Sequence, residues 1–265
     1  MTDKNCLNCG KELTDKYCSG CGQKAATHRI TFKHFISHDV LHGTLHLEKG
    51  MFFTAKQALI RPGQAALDYI SGKRVNYYNV FYFILLLIGF NILLTHYYNE
   101  IALKVDPSRA LIPTTNEAGK TIGEILFKYG KLFIFALVPA TALNSFMIFK
   151  RKSLNYTEHF MISGLLLLGI FLITTLVIVF SFLEFAGLSP DFFDFIHRYI
   201  PHLVMIYIIF GYYNAFREDY SLPGFGYRML LFILICSAEI ILFLCIIAGI
   251  ATGWKSDEID IQFVF

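Results

Sequence analysis

The chain reads as an all-α integral membrane protein of about five transmembrane helices behind a small four-cysteine module. Three observations carry that reading. Of 265 residues, 55% are hydrophobic and only 16% charged, where soluble chains carry roughly a quarter charged residues. The apolar residues form long uninterrupted blocks instead of amphipathic stripes. Ahead of them stand two Cys-x-x-Cys pairs within the first 21 residues.

A helix needs about 20 mostly apolar residues to cross the hydrocarbon core. Five blocks come near that length: Val80–Tyr98, Leu132–Phe149, Phe160–Leu183, Ile200–Phe216 and Met229–Ile250. The first begins behind a polar, cysteine-bearing segment, so it does not read as a signal peptide. The expected layout is a four-cysteine module over 1–26, a connector over 27–79, a five-helix membrane domain over 80–254 and a short acidic tail over 255–265.

Lys and Arg near helix ends set orientation. With the N-terminus inside, Lys73, Arg74, the Lys150-Arg151-Lys152 turn, Arg217 and Arg228 all fall on the cytosolic side. The opposite side gathers Asp191, Asp194, Asp257, Glu258 and Asp260. The expected orientation is N-terminus cytosolic and C-terminus periplasmic, in a bacterial cytoplasmic membrane. The basic residues of the long 99–131 loop run against it.

Cys6-Leu-Asn-Cys9-Gly and Cys18-Ser-Gly-Cys21-Gly form two knuckles eight residues apart. Each lets two thiolates converge on one ion, and four cysteines complete a tetrahedral zinc site. A unit of about 20 residues has little room for a core, so metal would supply most of its folding energy. A redox site needs only one pair, and a cytosolic setting disfavours disulfides. The expectation is a small N-terminal zinc ribbon with Zn2+ on Cys6, Cys9, Cys18 and Cys21, closed to catalysis because every ligand position is filled. Cys236 and Cys245 in the last block read as packing residues.

His34, His38, His42 and His46 recur at i,i+4 spacing and could share one helix face. Two readings stay open: a second metal or pH-sensing face, or the polar edge of a helix lying at the membrane interface. The next stretch alternates Met51-Phe52-Phe53 and Leu59-Ile60 with Lys56 and Arg61. Pro62 suits the first turn of a helix and Gly72 its end. Arg61, Lys73 and Arg74 are candidate contacts for anionic lipid headgroups, each worth about 1 kcal/mol at the surface.

Taken together, the ribbon, His38-Asp-Val-Leu-His-Gly43, Arg61-Pro62-Gly63, Tyr69-Ile70 and Gly72-Lys73-Arg74 resemble a bacterial membrane family labelled DUF3667. Asn155-Tyr156-Thr157-Glu158-His159 is similar to that family's Glu-His step into a span, and Tyr207, Arg217 and Tyr220 sit where similar proteins have a Tyr-rich span end and a basic turn. Asn79-Val80 stands where the family often has a proline. The resemblance implies the architecture and carries no activity.

Ionisable residues within spans mark candidate function. Glu239 lies mid-block, with Asn144, His202 or Asn214 as candidate partners, and Glu158 and His159 open the third block. The leading expectation is a non-enzymatic, docking or organising membrane protein that contacts the lipid bilayer and a cytosolic or membrane protein, without nucleic acid. The alternative is a small proton- or cation-linked transporter or channel using Glu239 and the histidines.

Overall fold

A computed structural model describes residues 5–25, 27, 30, 50–106 and 117–252. The histidine run at His34, His38, His42 and His46 and the acidic tail lie outside the described residues. Every regular element among them is helical: α1 (Gly50–Ile60), α2 (Pro62–Ile70), α3 (Val80–Val105), α4 (Glu117–Ile148), α5 (Tyr156–Ser181), a 3-10 turn (Phe182–Ala186), α6 (Pro190–Phe216) and α7 (Leu222–Thr252).

Among the described residues, four helices are long and apolar enough to cross a membrane: Val80–Val105, Tyr156–Ala186, Asp191–Phe216 and Leu222–Gly249. The sequence predicts a further span at Leu132–Phe149. That region is the C-terminal part of the 32-residue helix α4, whose described apolar run is the shorter Leu137–Ile148. The helices also run past the apolar blocks, because helical hydrogen bonding continues through polar turns that hydropathy does not register.

Local chemistry sets the starts. The Asn79 side chain accepts from the backbone N–H of Phe81 and Tyr82 at 3.1 and 3.2 Å and caps α3. Asn155 caps α5 in a reciprocal box: its Oδ1 accepts from Glu158 N, and Glu158 accepts from Asn155 N, at 2.9 and 2.8 Å. Proline occupies the first turn of α2 and of α6, where its missing N–H costs nothing.

Helix α5 is the hub and packs on α1, α2, α3, α4 and α6, while α7 packs mainly on α4. Its buried residues include Met161, Ile162, Leu165, Leu166, Leu168 and Phe171. Polar groups stitch the bundle as well. Asn91 Nδ2 donates to Leu87 O and to Thr175 Oγ1 at 2.8 and 2.6 Å.

The sequence reads 51–72 as a continuing approach to the bilayer, and the structure seats α1 and α2 against the bundle. Thr54, Ala58, Ala65 and Ala66 are fully buried. Tyr207 donates to Ala58 O at 2.6 Å, and Tyr207 lies roughly 14 Å along α6 from its end at Phe216, at 1.5 Å per residue. Gln64 N–H donates to Asn214 Oδ1 and Gln64 Nε2 to Asn214 O, at 2.8 and 2.9 Å. Small residues permit this. A Cβ on Gly63 would sit 2.2 Å from Gly211 O, so the α2 and α6 backbones are in direct contact. Alanine and glycine hide the depth of the insertion from a hydropathy reading.

The two connections that the charge pattern assigns to one side meet at one end of the bundle. Phe149 stacks on Phe216 with ring centroids 4.7 Å apart. Arg151 N donates to Tyr220 Oη at 3.0 Å, and Lys152 pairs with Asp219 at 2.9 Å. Arg228 and Arg151 both lie over the Tyr220 ring. At the other end Tyr98 donates to Glu184 at 2.7 Å, and Ser181 contacts His197 at 3.2 Å.

Candidate metal centre and polar groups

The two cysteine knuckles repeat one backbone pattern. Gly10 N donates to Cys6 O and Gly22 N to Cys18 O, each at 2.8 Å. Gly10 and Gly22 hold φ near +75°, a left-handed conformation that glycine adopts without steric cost. Isolated bridges Asn5–Glu12 and Tyr17–Lys24 close each loop.

The turns bring Cys6, Cys9, Cys18 and Cys21 together. All four Sγ atoms lie within 4.8 Å of one another, with Cys6–Cys21 at 3.6 Å and Cys9–Cys18 at 3.5 Å. A tetrahedron with metal–sulfur bonds of about 2.3 Å has sulfur edges of about 3.8 Å, so the set fits one ion. The thiols are free of disulfides. Backbone N–H groups of Gly20 and Cys21 aim at Cys18 and lower its thiol toward the thiolate that a metal needs, while that of Cys9 beside it is raised.

The four-cysteine module is seated on the connector. A Cβ at Gly72 would come within 2.7 Å of Leu7 Cδ1, so the loop after α2 presses directly on the first knuckle. Gly72 holds φ +100°, which serves the same turn. Gln23 is buried, and its Oε1 accepts the backbone N–H of Arg74 at 3.2 Å.

The basic candidates separate. Arg74 turns inward, with Nε donating to Tyr69 O at 3.0 Å and its guanidinium over the Tyr69 ring. Arg61 and Lys73 converge on Asp68, at 3.1 and 2.8 Å. Asp68 and its neighbour Tyr77 carry no motif, although Arg61 and Asp68 stand two helical turns apart and so share a face.

Within the bundle Glu239 meets one of its three candidate partners: Asn144 Nδ2 donates to Glu239 Oε2 at 2.9 Å. Asn214 is engaged by Gln64, and His202 is exposed beside Tyr199. Glu158 and His159 are buried at the start of α5. Glu158 serves the cap. His159 Nδ1 lies 2.8 Å from Ser145 Oγ, and its Nε2 is buried without a hydrogen-bond partner. Next to Ser145, Tyr212 contacts Ser163 at 3.3 Å. Together with Asn144 these groups form a polar seam where α4, α5, α6 and α7 meet. Its Glu, His and Asn144 members stand out in the sequence, whereas Ser145, Ser163 and Tyr212 do not, because Ser and Tyr are too common in apolar blocks to be singled out.

No curated protein and no solved structure matches the chain. Residues 48–90 match the family model described as protein of unknown function (DUF3667). This stretch contains α1, α2, the Gly72–Tyr78 loop under the ribbon and the capped start of α3. Over residues 48–90, therefore, the chain is similar to DUF3667 proteins, and the similarity falls on the segment that joins the cysteine module to the helical bundle.

Proposed function

We propose that the chain is a five-span, non-enzymatic protein of the bacterial cytoplasmic membrane whose cytosolic zinc ribbon clamps the 50–79 segment onto the bundle. The observation that carries this is the seat of the ribbon, with Leu7 on Gly72 and Gln23 on Arg74 N. A closed four-cysteine site offers zinc no open position for substrate, whereas binding energies of about 10–16 kcal/mol in zinc-finger peptides suffice to hold a small unit folded. The organising role follows: metal binding orders a basic, polar surface beside the first span. The full α4 helix supplies the fifth span, and Lys150–Lys152, Arg217 and Arg228 support a cytosolic N-terminus.

Metal analysis of protein purified from membranes tests the reading. One zinc per chain is expected, lost in Cys6→Ser and Cys18→Ser. A metal-free wild type that melts at the same temperature with and without added zinc would overturn it.

A second reading, a proton- or cation-linked pathway, draws on the Glu239–Asn144 pair and the unpartnered Nε2 of His159. Liposome flux abolished by Glu239→Gln would support it, and flux indifferent to that substitution would remove it.

A further inference from the structure

Arg61, Asp68, Lys73, Asn76 and Tyr77 line a pocket of about 290 Å3, and Asn8 of the first knuckle completes it. Its chemistry is lopsided. Asp68 is the one acid among these residues, and both its oxygens are engaged, Oδ2 by Arg61 and Oδ1 by Lys73. Arg61 spends Nε on Gln57 and Nη2 on Asp68. A guanidinium carries five N–H donors and an ammonium three, so both cations retain donors after serving Asp68. Tyr77 Oη is buried without a hydrogen-bond partner. Burial, reinforced by the Asp68 carboxylate, pushes that hydroxyl up to about 12, so it stays a donor at neutral pH. Its ring is held edge-on to Phe53 and Tyr69 at 5.1 and 5.7 Å. Two cations against one carboxylate leave a net charge of +1. Arg61 and Lys73 side chains are 44% and 50% exposed, which keeps the pocket open from outside.

We propose that this pocket binds the phosphate group of a phosphomonoester or phosphodiester, held by Arg61, Lys73 and the Tyr77 hydroxyl. A buried hydroxyl without a partner is costly, and a phosphate oxygen is the acceptor that Tyr77 lacks. Arg61 presents the fork that matches two phosphate oxygens. The phosphate can arrive on a lipid headgroup or free in solution. The proposal rests on the seated ribbon only for Asn8.

The test is calorimetric titration of the full zinc-loaded chain in a sugar detergent. The probes are inorganic phosphate, dihexanoyl phosphatidylglycerol and, as a phosphate-free counterpart, dihexanoylglycerol. Binding of phosphatidylglycerol, with or without inorganic phosphate, supports the site; both binding means that the group alone suffices, and the lipid alone means a headgroup site. Tyr77→Phe keeps the ring packing and should weaken binding by about 2- to 10-fold, the range of one net hydrogen bond. Arg61→Gln should weaken it by about 10-fold or more. Lys150→Gln, a basic change elsewhere at the same end, should leave it unchanged. Melting curves confirm that each variant is folded. The proposal fails if neither phosphate probe binds, if dihexanoylglycerol binds as well as the phospholipid, or if Arg61→Gln and Tyr77→Phe bind like wild type. Asn8→Ala separates the two readings: pocket variants that lose binding while Asn8→Ala and Cys18→Ser do not would keep the phosphate site and remove the clamp.

Discussion

Gly63→Ala places one methyl group where two helix backbones touch. The added Cβ would lie 2.2 Å from Gly211 O, 2.5 Å from Ala215 N and 2.9 Å from Ala215 Cβ. Two of these are main-chain atoms that cannot rotate away. Ordinary contact begins at 3.4 Å, so α2 must withdraw from α6 by roughly 1 Å, and overpacking of this kind costs about 1–3 kcal/mol. Withdrawal also stretches the two Gln64–Asn214 hydrogen bonds, now 2.8 and 2.9 Å, each worth about 0.5–1.5 kcal/mol net. The expected loss is about 2–6 kcal/mol. Denaturant titration of the purified protein in mixed micelles, followed by tryptophan-independent circular dichroism, measures it. Gly89→Ala is the matched control: nothing lies within 4 Å of its added Cβ, and alanine favours the helix by about 0.5–1 kcal/mol. If Gly63→Ala is as stable as Gly89→Ala, α2 is not inserted against α6 and the account of the connector is wrong.

Asn144→Leu should destabilise by about 1–3 kcal/mol, because the Glu239 carboxyl loses its donor at 2.9 Å; Glu239→Gln keeps an acceptor and should cost less, and the order is read from the same titration. Asn155→Ala removes the side-chain half of the α5 cap, the Oδ1 that accepts from Glu158 N, and should cost about 1 kcal/mol, with faster amide exchange at Glu158 as its local signature. Tyr77 gives a pH dependence of known sign. Its folded value near 12 stands above the ordinary 10, so its contribution is intact below pH 10 and is lost as pH rises through 12. Because the unpartnered hydroxyl is already costly, the melting temperature of wild type should fall further below that of Tyr77→Phe across that window, and a constant difference would contradict the burial of the hydroxyl.

The legible parts of this chain were those written in one residue type. Long apolar blocks announce α3, α5, α6 and α7, and the cysteine spacing announces a four-sulfur cluster whose atoms lie within 4.8 Å. Pro62 and Gly72 mark the limits of α2 because each imposes its own φ. Pairings between distant segments left no local trace. Gln64 with Asn214 and Tyr207 with Ala58 O are about 150 positions apart, and nothing near Gln64 specifies its partner. The phosphate pocket was half legible: Arg61 and Lys73 stand out as charges, while Tyr77 and Asn8 matter only through where the loop and the ribbon bring them. The predicted span at Leu132–Phe149 illustrates a different loss. Glu117–Ile148 is one helix, but its mix of Lys, Gly and apolar residues blurs the hydropathy signal that defines its neighbours.

In the proposed function the metal-bound ribbon holds the loop between α2 and α3 in place. Hydrogen exchange of the full chain in bilayer discs, with zinc and after chelation, tests it most directly. With zinc, the amides of 5–25 and 71–78 should be protected, Arg74 N–H above all because it donates to Gln23. Chelation should release both stretches together and leave the α5 interior unchanged. Exchange at 71–78 that is the same with and without zinc would contradict the claim.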